Sequence, residues 1–217
     1  MNPASVPPNE MVRPRMASIP RLLAMASYSL GALGASLSAF LLYGVLEAMR
    51  AAENAGISAV TGGLAEANVP ILVGLYAAIA VGFITIIVAA VRTAITTTTV
   101  SPPAWFYFVA AAMCFVPVGL YWLTESMFIQ ALYPGSEGIS FVATNIRTLL
   151  ILTMLVGPIA VFLLFILSVI PFKSNPTGQW LGIVILVFAQ IVLIILTVAF
   201  QMRTSWLWRA METESLG

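Results

Sequence analysis

Five runs of apolar residues, each long enough to cross a lipid bilayer, constrain this chain more than any other feature of it. They cover approximately residues 22–46, 70–91, 105–129, 148–170 and 180–200. A helix rises 1.5 Å per residue, so about 20 apolar residues cover the roughly 30 Å of hydrocarbon in a bilayer. Backbone polar groups in lipid must be satisfied internally, which leaves helices or a closed barrel, and the alternating pattern of barrel strands is absent. The expected fold class is therefore all-α, a polytopic membrane protein with about five transmembrane helices.

Composition agrees and narrows the function classes. The 217 residues are 61% hydrophobic and 8% charged, with a mean hydropathy of +1.04, whereas soluble domains carry about a quarter charged residues. So little charge cannot keep a second, water-exposed domain in solution. Nine basic and eight acidic residues give a net charge of +1. The basic residues are scattered singly, so nucleic acid is not an expected partner. Histidine and aspartate are missing and Cys114 is the single cysteine. No intrachain disulfide is possible, triads that need histidine are excluded, and no cofactor or metal site is expected. No enzyme activity is expected.

Residues 1–20 carry Pro3, Pro7, Pro8, Pro14 and Pro20 and read as a disordered tail, with a transmembrane bundle over 21–203 and a short C-terminal tail over 204–217. The first apolar run exceeds a signal-peptide core and reads as an uncleaved anchor. Arg13, Arg15 and Arg21 precede it, which favours a cytoplasmic N-terminus and, after five spans, an outside C-terminus. The connection over 47–68 is expected to be helical and partly interfacial. Trp206 and Trp208, between Arg203 and Arg209, read as a membrane-surface anchor. Gln190, inside the fifth run, reads as interhelical glue.

Two stripes of small residues stand out. Gly74, Ala78 and Gly82 recur every fourth residue in the second run, and Ser27, Gly31 and Ala35 do so in the first, with Gly34 beside them. Residues four apart share a helix face, and small ones let another backbone approach closely. The stripes are expected to pack against each other or against neighbouring subunits, as the wall of a homo-oligomer. Ionisable residues retained near membrane depth tend to mark ion paths, and two qualify as ion-pathway candidates. Glu66 lies just before the second run. Glu125 has apolar residues on both sides; either it lies within the bilayer, or Tyr121 and Trp122 mark the interface and leave it in water beyond.

The segment Gly63 to Ala78, GLAEANVPILVGLYAA, resembles the start of the last core helix in the MotA/TolQ/ExbB proton-channel family. Gly63, Ala65, Glu66, Ala67, Gly74, Leu75, Ala77 and Ala78 keep that family's register. The preceding Leu30-Gly31-Ala32-Leu33-Gly34 is similar to a second family segment, so the resemblance covers residues 29–84. It implies a ring of several copies in a bacterial cytoplasmic (inner) membrane. That ring would surround a single-span partner carrying a membrane aspartate and convert proton flow into work. It also implies that Glu66 faces the channel. Ala35 and Ile71 stand where the family commonly has threonine, and the chain breaks at Pro102-Pro103 where the family usually continues as a long helix. Those departures favour a different reading, a non-conducting scaffold or accessory subunit. A small multispan carrier is a third.

Overall fold

The computed structural model describes residues 19–51, 57–95, 103–132, 139–169 and 176–215. The helices in them are α1 (Ile19–Ala51), α2 (Ile57–Ala67), α3 (Val69–Ile95), α4 (Ala104–Leu132), α5 (Ile139–Val169) and α6 (Pro176–Ser215). Five stretches are long and apolar enough to cross a membrane: Ile19–Arg50, Ala59–Ile95, Ala104–Ala131, Thr144–Ser168 and Trp180–Ala210. The protein is an all-α, multi-pass membrane protein.

Three boundaries differ from those read in the sequence. The first helix already includes Ile19 and Pro20, because proline in a first helical turn gives up an N–H that has no partner there anyway. Residues 1–18, Lys173 and the threonine run 96–99 lie outside the described residues. The second span starts at Ala59, well before Pro70, since α2 and α3 form one apolar column interrupted only at Asn68. The α2 part of the 47–68 connection is not a surface helix: Val60, Leu64, Ala65 and Ala67 are buried. The last helix runs on to Ser215, so residues 204–215 continue it and do not form a tail. Neither glycine nor proline occurs in that stretch, and Thr204 and Leu207 are buried against the bundle.

Helix α1 lies at the centre, packed against α2, α3, α4 and α5, while α6 closes the far side against α2, α3 and α4. Its inward face is lined by Ala24, Tyr28, Ala32, Ala35, Ala39 and Leu42, spaced three or four apart as a buried helical stripe requires. Contacts along its length fix the direction of its neighbours. Ser27 Oγ donates to the Ala78 carbonyl at 2.6 Å, and the Ile71 N–H donates to Ser38 Oγ at 2.9 Å. The α3 helix is therefore antiparallel to α1. So is α5, because the Arg21 guanidinium donates to the Ser168 carbonyl at 2.9 Å and Ser36 Oγ to that of Thr153 at 3.1 Å.

The small residues are spent on this packing. A Cβ on Gly74 would come within 2.6 Å of the Leu30 carbonyl oxygen and 3.0 Å of the Gly34 Cα. Ser27, Gly31, Gly34, Ala35, Gly74, Ala78 and Gly82 are all buried inside one chain. Of the two packings expected, the structure shows the stripes against each other at Gly34 and Gly74 within one protomer, while Gly82 faces Gln190 and Gly31 faces Cys114. Large apolar side chains such as Phe40, Val73, Ile87, Phe108, Phe162 and Phe188 point outward instead. An outward apolar belt costs nothing in contact with lipid tails.

Candidate functional site

The second span breaks where an asparagine and a proline fall close together. The Asn68 N–H still reaches back to the carbonyls of Leu64 and Ala65, at 3.2 and 3.3 Å, and its own carbonyl accepts from the Leu72 N–H at 3.2 Å. Pro70 has no N–H to return to the preceding turn, and the Ile71 N–H turns aside to Ser38 Oγ on α1. Irregular backbone at membrane depth is tolerated where neighbouring side chains satisfy it. Ser38, 0% exposed, does so here.

At the break, the Asn68 side chain enters the bundle and bonds twice to α4, whose Glu125 in turn pairs with α6. Its Oδ1 accepts from the Tyr121 hydroxyl at 2.6 Å, and its Nδ2 donates to Glu125 Oε1 at 2.7 Å. Glu125 is 0% exposed. Its second oxygen, Oε2, stands 3.3 Å from Arg203 Nε on α6 as an ion pair but accepts no hydrogen bond. The guanidinium is held from two further sides. Its Nη1 donates to Ser126 Oγ at 3.1 Å, and it lies over the Trp122 ring at 4.8 Å from the centroid. Trp122 is itself set edge-on against Phe200.

This arrangement is expensive and specific. Removing a carboxylate and a guanidinium from water costs several kcal/mol per ion, offset only by close pairing and good hydrogen bonds. One carboxylate oxygen accepts from Asn68 Nδ2. The other faces the Arg203 guanidinium and accepts no hydrogen bond.

The two sequence candidates have different fates. Glu125 does not lie in water beyond the interface: Tyr121 and Trp122 are part of its enclosure. Glu66, two residues before Asn68, is exposed on α2, so the structure does not bring the two carboxylates into one site. Asn68, Tyr121, Ser38 and Arg203 were not singled out from the sequence as site residues. A signal for Arg203 does exist. Glu125 is the lone charge in its apolar run and Arg203 the first charge after the fifth. The third and fifth spans run in the same direction, so both charges belong to one end of the bundle.

A second charged group, on the surface of α1 and α5, has Arg147 donating to the Tyr43 hydroxyl at 2.9 Å and Glu47 at 3.7 Å from Arg147. Exposed pairs of this kind contribute little. No protein-family model, curated protein or solved structure matches the chain.

Proposed function

We propose that the chain is the membrane subunit of a proton-driven energy-transducing complex, and that Glu125 is its proton-handling carboxylate. One observation carries this reading. A fully enclosed carboxylate has one oxygen bonded to the side chain at a helix break and the other left beside an arginine on a different helix. Ionisable groups in membrane spans are costly and mark ion or proton paths by default. Proton uptake on Glu125 Oε2 discharges the pair and releases Arg203, which is 17% exposed and already borders the surface. Helix α6 is then free to shift against α4, and the broken span supplies a hinge at Asn68. Proton release restores the pair. In the ring of copies implied by the MotA/TolQ/ExbB resemblance, exposed Glu66 faces neighbouring copies or the single-span partner with its membrane aspartate.

Proton flux in proteoliposomes containing the full complex tests this. Glu125→Gln keeps the shape and the Asn68 contact but removes the titration, and flux should fall while assembly survives. Unaltered flux in assembled Glu125→Gln rejects the assignment. The scaffold reading is favoured by the burial of both small-residue stripes within one chain. Absence of flux in the unmodified complex would establish it in preference.

A further inference from the structure

On its outward side the seam between α4 and α6 holds a groove of about 460 Å³, lined by apolar residues alone. Buried Ala111 and Ala189 form its floor together with Ala112, while exposed Phe108 and Phe188 stand up as its walls. The sequence accounts for the shape. Phe108, Ala112 and Phe115 share one face of α4, and Ile185, Phe188 and Val192 one face of α6, so large side chains flank small ones where the helices meet.

Its place in the fold fixes its depth. Helix α4 begins at Ala104, and the groove runs from Phe108 to Val116, so it starts about 6 Å below that end of the bundle and extends for about 12 Å. That is the depth of a single leaflet, half of the roughly 30 Å of hydrocarbon. One residue before Phe108, the Tyr107 ring packs against Gly182, where a Cβ would come within 2.9 Å of it. Helices α4 and α6 are thereby held together at the groove's outer end. Charge at this end is of one sign. Arg21 and Arg92 both lie within electrostatic reach of the Tyr107 hydroxyl, and the described residues at this end of the bundle include no Asp or Glu. Glu47, Glu66 and Glu125 all stand towards the opposite end.

We propose that the groove between α4 and α6 binds one acyl chain of an anionic phospholipid, whose phosphate is drawn to the Arg21 and Arg92 end. Shape selects the chain. Volume over length gives a cross-section of about 40 Å², roughly half that of a helix some 10 Å across. A span from a partner or from a second copy is too thick to enter, whereas an extended hydrocarbon chain is slim enough. The lining offers a polar ligand nothing to bond to, and the basic end favours an anionic headgroup over a zwitterionic one. This site does not depend on whether the protein moves protons.

Photoactivatable phospholipids test the site. The full-length protein is placed in phosphatidylcholine nanodiscs doped with a diazirine-acyl probe, either phosphatidylglycerol or phosphatidylcholine, and labelled peptides are mapped by mass spectrometry. Ile159, Phe162 and Phe165 are exposed on α5, which ends beside Arg21 at Ser168, so they report ordinary lipid in the same leaflet. The phosphatidylglycerol probe should label 108–116 and 185–192 several-fold more than this α5 face, and several-fold more than the phosphatidylcholine probe does. Ala112→Phe fills the groove and should bring its labelling down to the α5 level. Arg92→Gln should at least halve the preference for phosphatidylglycerol. Equal labelling of groove and α5 face overturns the proposal, as does enrichment that persists in folded Ala112→Phe. Equal labelling by the two probes, or an undiminished preference in folded Arg92→Gln, also overturns it. Groove labelling below the α5 level overturns it too, and indicates that a second copy of the chain covers this face. If Ala112→Phe does not fold, the comparison with α5 in the unaltered protein decides alone.

Discussion

Arg203 Nε stands 3.3 Å from Glu125 Oε2, joining α6 to α4 through a carboxylate with no exposed surface. The two residues belong to different spans, and the remaining carboxylate oxygen belongs to Asn68 at the break in a third. One side chain therefore ties three membrane spans together.

That geometry predicts a strong asymmetry between single and double variants. Glu125→Leu leaves a guanidinium without its counter-charge, and Arg203→Met leaves a buried carboxylate alone, so each should destabilise by about 3–5 kcal/mol. The double variant should cost less than the sum of the two. Thermal unfolding of the four proteins in detergent measures the coupling, and additive losses would mean that the pair is not formed.

Around the break, the losses should follow the number of partners stranded. Tyr121→Phe strands Asn68 Oδ1 alone and should cost about 1–3 kcal/mol. Asn68→Leu strands both the tyrosine hydroxyl and Glu125 Oε1, so its melting temperature should fall further.

The serines of α1 should separate in the same assay. Ser38 accepts from the Ile71 N–H, and Ser38→Ala orphans that donor at a cost of about 1–3 kcal/mol. Ser27 only donates to a carbonyl that already lies within a helix, so Ser27→Ala should be close to neutral. Equal effects would contradict the assignment of the Ile71 N–H.

Glycines can be sorted by what surrounds them. Gly74→Ala drives a Cβ against the Leu30 carbonyl, whereas at Gly44 and Gly119 a Cβ meets nothing within 4 Å. Gly74→Ala should therefore unfold the protomer at lower temperature. Gly44→Ala and Gly119→Ala should be neutral or stabilising by up to about 1 kcal/mol, the helix-propensity difference. A Gly74→Ala protein with unchanged melting would show that α1 and α3 are not in backbone contact.

Glu66 and Glu125 should also part company. Glu66 is exposed, so Glu66→Gln should leave thermal stability of the isolated subunit unchanged, while Glu125→Gln lowers it. A matching loss in both would mean that Glu66 is enclosed.

The number of spans and the all-helical class were legible in the residues, because a bilayer converts local hydrophobic length directly into a helix. Helix-packing glycines were legible too, since small residues four apart have few other uses in a membrane. Their partner was not: Gly34 and Gly74 mark surfaces that permit close approach, and only the folded bundle decided that they face each other inside one chain. The polar site depended still more on tertiary structure. Local sequence places Glu125, Asn68 and Arg203 along their helices, but the rotation of each helix about its own axis is set by the packing of its neighbours. That rotation turns Glu125 inward to a guanidinium on another span, while Glu66, two residues before the same break as Asn68, is left outside.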